Sequence, residues 1–435
     1  MCRVYCRRKF PSQKFNSGVI VRNFLRSLLA FGLAALIAAC GRGSGGDNTA
    51  SAAPPEVAST ADNVQAISVN AGPANTVNFA FTSVTVCIPG TSQCRTIDNV
   101  IIDTGSTGLR ILSSALAGLS LPQQQLVAGH SLAECEPFLD GSYMWGPVHM
   151  ADVKIGGKIA QSTNVHIVAE NSVGTAPATC LNNSNPLATP FEITDALTLG
   201  GNAILGVGQF REDCGTGSGS GNPDDIGCLN PQNDFYYDCS ASAGCVETAA
   251  DASRQVQNPV ARFASDNNGV IVNLPAISES GSVRVDGQMI FGIGTRDNNT
   301  LGNALVHTVD GAGYLTTSYK GEDFPQSFVD SGSNGLYFPD DNIPSCFYAS
   351  GFYCPTSTLQ LTATITGIKP NNASSSVAFS VANAESLNFN FSAFKNLAGP
   401  SDPYSSGFDW GLPFFFGRKV YTAFETNPEG PYIAF

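Results

Sequence analysis

Asn99-Val100-Ile101-Ile102-Asp103-Thr104-Gly105-Ser106-Thr107-Gly108-Leu109-Arg110-Ile111 returns late in the chain as Gln326-Ser327-Phe328-Val329-Asp330-Ser331-Gly332-Ser333-Asn334-Gly335-Leu336-Tyr337-Phe338. Each copy is an apolar run that enters Asp-[Thr/Ser]-Gly-Ser-x-Gly-Leu and leaves into apolar residues again, so the chain contains an internal duplication. A short β-rich apolar run predicts a buried strand, and Gly two and five residues after the Asp predicts a backbone that turns tightly at its end. Such a turn presents one carboxylate at the tip of a rigid strand. Two copies brought together about a pseudo-two-fold axis would set two carboxylates face to face, where like charges cannot both ionise and one proton is shared. A shared proton supplies an acid and a base at once. A lone Asp-Thr-Gly is an ordinary turn; the specificity lies in two extended copies with the same flanks.

Working outward, the 435-residue chain is long enough for two cores or one large bilobal domain. Only 13% of its residues are charged, while Gly, Ser, Thr, Asn and Val are plentiful. That composition predicts an all-β exported protein rather than a helical cytosolic one. Arg22 and Arg26 precede an apolar run from Leu28 to Ala39, which ends in Ile37-Ala38-Ala39-Cys40. A basic region, a short apolar core and small residues before a cut describe a signal peptide. The Cys after the small residues resembles a bacterial lipobox, which makes Cys40 the expected lipidated N-terminus, and Gly41 after it favours the outer membrane by resemblance to Gram-negative lipoproteins. Ordinary signal-peptidase cleavage is the alternative.

Seven of the 22 basic residues lie before Cys40 and none of the 35 acidic ones does, so the exported chain carries about −20. Such a surface repels nucleic acid and anionic headgroups, which excludes nucleic-acid binding as the expected role. Leaving out Cys2, Cys6 and Cys40, ten cysteines remain, an even number that reads as disulfides in an exported chain. The local candidates are Cys87 with Cys94, Cys214 with Cys228, Cys239 with Cys245 and Cys346 with Cys354, leaving Cys135 with Cys180; spacing alone does not prove this connectivity. His130, His149, His166 and His307 are scattered and no Cys-x-x-Cys occurs, so neither a metal nor a cofactor is expected.

The expected organisation is a signal peptide over 1–39, a flexible Gly/Ser/Ala/Pro tether over 40–62, an N-terminal β lobe over 63–275 and a C-terminal β lobe over 276–435. Within the first lobe, about 211–250 lacks periodicity and reads as a disulfide-pinned surface insertion. Between Glu136 and Gly157 the sequence predicts a hairpin with arms Phe138 to Val148 and Ala151 to Gly157, suited to cover a cleft or to pack as a corner. Strands are expected at about Leu359 to Ile368 and Ser374 to Val381, and a short helix start at Asn258-Pro259-Val260.

With these residues laid out, the chain resembles the pepsin-like aspartic peptidases over nearly all of its exported length. Asp103-Thr104-Gly105-Ser106 and Asp330-Ser331-Gly332-Ser333 match the two catalytic loops, and Ile204-Leu205-Gly206 looks like the apolar-apolar-Gly that completes the first ψ-shaped loop. Gly281-Ser282-Val283 with Ile290-Phe291-Gly292, and the closing Trp410-Gly411-Leu412-Pro413-Phe414, are similar to the family's second lobe. The resemblance implies an all-β, bilobal double barrel with pseudo-two-fold symmetry and a few short helices. It also implies that Asp103 and Asp330 hold the lytic water, Thr104 and Ser331 hydrogen-bond across to the opposite loop, Ser106 and Ser333 hold the outer carboxylate oxygens, and Gly105 and Gly332 allow close backbone approach.

Three departures stand out. Arg110 stands where the family usually carries Trp, and the flap alignment of Ser142-Tyr143-Met144-Trp145-Gly146 puts Leu139 at the position of the flap Tyr. The flap candidates are therefore Leu139, Asp140, Tyr143 and Arg110, with Arg110 expected to pair with Asp140. The second ψ-loop signal, Asp409-Trp410-Gly411, is weaker than the first. The reading is an envelope-anchored aspartic endopeptidase, a monomer meeting the membrane only through its N-terminal lipid and acting on a polypeptide. The alternatives are a catalytically weak or inactive pepsin-fold protein that binds peptides or cell-wall polymers, and a glycosidase pair that nothing else in the chain supports.

Overall fold

Both copies of the repeat form strands that end at their aspartate. The first is Cys94–Asp103 and the second Glu322–Val329, with Asp330 at its tip. Their last apolar residues, Val100, Ile101, Ile102, Phe328 and Val329, are buried. Burying a side chain of this size contributes about 1.5–3 kcal/mol over leaving it exposed, so each carboxylate rests on a fixed base. The computed structural model describes residues 61–138, 140–182, 190–214, 227–233, 235–388, 390–401 and 407–435, all within one unit. The expected signal peptide, Cys40, nearly all of the tether and Leu139 lie outside the described residues.

The duplication extends to the topology. In the first half, strand Ala203–Val207 runs parallel to Cys94–Asp103, with Gly206 opposite Asp103, and antiparallel to the return strand Thr107–Leu112. In the second, Asp409–Trp410 runs parallel to Glu322–Val329 and antiparallel to the return strand Leu336–Tyr337. A later segment is thus threaded between each aspartate strand and its return, which clamps both carboxylate-bearing turns.

The protein is all-β, and among the described residues it forms two barrel-like sheets of seventeen and seven strands with only short helices. Asp103 belongs to the larger sheet and the strand before Asp330 to the smaller. Strands from 276–435 contribute to both: Val285–Phe291 pairs with Val64–Val69 and with Gly269–Leu274, and Arg418–Ala423 also pairs with Gly269–Leu274. Strands Val64–Val69, Gly269–Leu274 and Arg418–Ala423 therefore meet in one sheet, while the two expected strands Leu359–Thr366 and Ser374–Val381 pair antiparallel in the smaller sheet. The expected helix start near Asn258 is a single 3-10 turn, Val260–Arg262.

Two expectations are corrected. The hairpin placed at 138–157 has no turn at its middle; Ser142–Ile155 is one continuous strand, paired with His130–Pro137 on one side and Lys158–Val168 on the other. Val148-His149-Met150 carries no turn residue, whereas Asp140-Gly141 and Gly156-Gly157 do, and both turns fall there. The region 211–250 is likewise more than a surface loop. Tyr236–Ser240 pairs with Gly244–Glu247 and with His130–Pro137, and Tyr236 and Tyr237 are wholly buried. The run Phe235-Tyr236-Tyr237 is the signal for that strand, because three adjacent aromatics bury too much area to sit on a loop.

The five disulfides join the pairs that spacing suggested: Cys87–Cys94, Cys135–Cys180, Cys214–Cys228, Cys239–Cys245 and Cys346–Cys354. Four close short loops, while Cys135–Cys180 spans 45 residues. Replacing Cys135 and Cys180 together by Ala should lower the unfolding free energy by about 4 kcal/mol, since closure entropy grows with the loop. Denaturant titration checks this, and a loss below about 1 kcal/mol would contradict it.

Candidate active site

The two aspartates meet across the sheets. Gly105 N–H donates to Asp103 Oδ1 (2.8 Å) and to Asp330 Oδ1 (3.1 Å), so one donor serves an oxygen from each. Gly332 N–H donates to Asp330 Oδ1 at 2.7 Å and Ser106 N–H to Asp103 Oδ1 at 3.1 Å. The second oxygens are taken by hydroxyls: Ser106 Oγ donates to Asp103 Oδ2 at 2.5 Å and Ser333 Oγ to Asp330 Oδ2 at 2.9 Å. A side chain at either Gly is sterically barred. A Cβ on Gly105 would lie 2.5 Å from Asp330 Cγ, and one on Gly332 2.7 Å from Asp103 Cγ.

Thr104 and Ser331 lock the two loops reciprocally. Ser331 N–H donates to Thr104 Oγ1 (2.9 Å) and Thr104 N–H to Ser331 Oγ (3.2 Å). Each hydroxyl then donates past the other loop to a strand carbonyl, Thr104 to Val329 O (3.2 Å) and Ser331 to Ile102 O (2.8 Å). Four hydrogen bonds therefore fix the separation of the carboxyls, which are only 7% and 6% exposed. Burial first, then the Asp103 carboxyl and then Asp409, push the Asp330 carboxyl well above the ordinary carboxylate range. A cleft opens beside this pair, lined by Gly105, Ser106, Phe210, Tyr314 and Phe328 and including Glu136 and Asp213.

All eight residues expected at the two loops are therefore together; the described flap candidates, Asp140, Tyr143 and Arg110, are not. Asp140 is exposed on a tight turn and accepts from Ser142 N–H (2.8 Å) and Ser142 Oγ (2.6 Å). Tyr143 is buried with Trp145 and Tyr237, and its hydroxyl faces Glu192 Oε2 at 3.5 Å. The pairing of Arg110 with Asp140 is not formed. Arg110, 1% exposed, points Nη2 at Glu134 Oε1 (2.7 Å), Glu136 Oε2 (2.9 Å) and Asp213 Oδ2 (3.3 Å), and donates from Nη1 to Thr107 O (2.6 Å). The reason is proximity and burial: strand His130–Pro137 brings two carboxylates under the guanidinium, while Asp140 already satisfies its own turn.

This cluster escaped the sequence reading. Glu134 and Glu136 alternate on one face of the strand around the apolar Leu132, Ala133 and Cys135, a pattern that marks a buried charge needing a cation; Asp213, far along the chain, gives no such local sign. Glu134, Glu136 and Asp213 could hold a metal by spacing, but the guanidinium occupies the point where their oxygens converge. Around it, burial pushes His166 down to about 4, with its Nδ1 3.2 Å from Glu134 Oε2. The Tyr236 hydroxyl lies 2.8 Å from both Asp213 oxygens and accepts from Val256 N–H. Burial, then Glu134, raises Asp213 well above its usual range; burial alone would also raise Glu134, but Arg110 and His166 hold it below.

Replacing Arg110 by Leu strands these carboxyls and should cost about 3–5 kcal/mol at pH 7. The sign with pH follows. Glu134, depressed in the folded protein, contributes stability above its unfolded value near pH 4 that is lost as pH falls through the lower folded one. Without the cation, burial and mutual repulsion raise all three carboxyls, so the variant's deficit should shrink as pH falls, first above about pH 4 as these raised groups take up protons and then below it as the parent loses the Glu134 contribution. Thermal melting of both proteins from pH 3 to 8 reads this, and a deficit independent of pH would contradict it.

With this geometry in place, comparison with known proteins adds one relationship. A family model described as a protein of unknown function (DUF3443) matches residues 59–435, so the chain belongs to that family. No curated protein matches it.

Proposed function

We propose that this member of the DUF3443 family is an aspartic endopeptidase of the bacterial cell envelope, in which Asp103 and Asp330 activate water to hydrolyse peptide bonds of a polypeptide lying in the cleft beside them. The observation that carries this reading is the shared donor: Gly105 N–H serves an oxygen of each carboxyl, with the Thr104 and Ser331 hydroxyls bracing the loops. Two buried carboxyls held this close retain one proton between them. The ionised member takes a proton from water as the water oxygen bonds to the scissile carbonyl carbon, while the protonated member donates to the carbonyl oxygen. The tetrahedral intermediate then collapses with release of the amine, and no covalent enzyme adduct forms.

Export is part of the proposal. Five disulfides support an oxidising compartment, and Ile37-Ala38-Ala39-Cys40 supports a lipid anchor. The absence of the Trp and flap Tyr usual in pepsin-like peptidases, with Arg110 locked into a buried network instead, favours as second reading a pepsin-fold binder that holds peptides without efficient turnover.

The deciding experiment is cleavage of an unfolded protein at acid pH. The peptidase reading expects pepstatin-sensitive cleavage that falls by roughly a hundred- to ten-thousand-fold in Asp103→Asn and in Asp330→Asn. Tight peptide binding with no cleavage would replace it by the binder. For the anchor, Cys40→Ala should move the protein from the membrane to the soluble fraction; unchanged partitioning would remove the lipoprotein assignment.

A further inference from the structure

The two halves of the duplicated motif differ at one buried place beside the carboxyls. In the first half Ile204 lies on the threaded strand, opposite Ile101 on one side and Arg110 on the other. In the second half that place is held by Asp409, opposite Phe328 and Tyr337. The correspondence is set by register: Ile101 and Phe328 each stand two residues before their aspartate, and Ile204 and Asp409 two before Gly206 and Gly411. Ile204 is 7% exposed and Asp409 9%, so both lie inside.

An apolar side chain satisfies this place in one half, so packing does not call for a carboxyl in the other. Asp409 also pays a desolvation penalty, since among the described residues its Oδ1 is buried without a hydrogen-bond partner. The ionisable groups that act on it are themselves acidic. They are Asp103 and Asp330 at the strand tips and Tyr337 on the return strand, whose hydroxyl donates to Asn334 Oδ1 at 2.5 Å. Burial first, and Asp103 after it, raise Asp409 well above the usual carboxylate range.

Ser333 links Asp409 to the pair. Its hydroxyl donates to Asp330 Oδ2 at 2.9 Å, and hydrogen bonding from the same hydroxyl pulls Asp409 down against burial. A serine hydroxyl carries one proton, so it cannot donate to both carboxylates at once. The first half lacks this competition: Ser106 Oγ donates to Asp103 Oδ2 at 2.5 Å, and the place from which a rival would act holds Ile204. Asp103 keeps its hydroxyl donor, whereas Asp330 shares one.

We propose that Asp409 is a positioning residue: by competing for the Ser333 hydroxyl, and by its own charge, it makes Asp330 the less stabilised anion of the pair and so fixes Asp330 as the acid and Asp103 as the base. The names of these roles rest on the peptidase reading; the unequal sharing of the proton does not. In the reaction, water gives its proton to Asp103 as its oxygen bonds to the carbonyl carbon, and Asp330 gives its own to the carbonyl oxygen. On collapse the C–N bond breaks, Asp103 passes its proton to the leaving nitrogen, and Asp330 recovers one from the hydroxyl of the intermediate.

The test compares the protein with Asp409→Asn, which keeps the volume of the side chain, and Asp409→Ile, which restores the residue of the first half. In carboxyl-labelled protein followed by carbon NMR, Asp330 should titrate about one pH unit lower in both variants, a shift of the size expected on removing a nearby like charge. The alkaline limb of the cleavage profile should move to lower pH by the same amount, because the active form requires Asp330 to hold its proton. In a Ser333→Ala background the Asp409→Asn shift should be smaller. An Asp330 titration that stays in place or moves to higher pH overturns the assignment, with Asp409→Asn deciding if Asp409→Ile does not fold. A shifted titration in a protein that cleaves nothing removes the peptidase reading and leaves the proton assignment standing.

Discussion

Two carboxyl groups that accept from the same backbone N–H cannot both carry a charge out of reach of water. Asp103 and Asp330 are in that position, and the surrounding architecture follows from keeping them there. Left free, like charges would separate into solvent; Thr104 and Ser331 prevent this by exchanging hydrogen bonds and anchoring each loop to the strand of the other half. The glycines contribute by what they lack, since a methyl group at either would occupy the space of the opposite carboxyl. The duplicated motif is a way of delivering two similar turns to one point from strands in two different sheets.

The same electrostatics is solved differently one layer away. Around Arg110 three carboxyl groups converge on a single guanidinium, with His166 set against Glu134 and the Tyr236 hydroxyl against Asp213. A buried group of this kind contributes little net stability but is costly to break, which makes it a rigid wall rather than an adjustable one. Glu136 and Asp213 also line the cleft, so the wall that meets an occupant is acidic and already braced from behind. Among the described residues no such cation is placed on Asp409, which stands where the first half carries Ile204.

Much of the fold was legible because its signals are local or repeated. The apolar run ending at Asp103, its echo at Asp330 and the apolar-apolar-Gly at Ile204-Leu205-Gly206 each announce a strand and a turn, and the register confirms Gly206 beside Asp103. The cysteine pairs were readable because four of them close short loops, which leaves two partners over. The partners of Arg110 were not readable: Glu134 and Asp213 lie 24 and 103 residues away, and no local period points from one to the other. The long strand Ser142–Ile155 was misplaced because its aromatic first part and alternating second part look like two elements when read locally. Asp409 was visible as a blemish in a motif, and its meaning needed the neighbouring strand.

The central claim is that the two carboxyls form one proton-sharing site beside the cleft. The most direct measurement is a crystal structure with a peptide in which a secondary hydroxyl replaces the scissile carbonyl. The account predicts that this hydroxyl oxygen lies within about 2.5–3.2 Å of a carboxyl oxygen of both Asp103 and Asp330. A hydroxyl held by only one of them, or a peptide seated away from the pair, would contradict it.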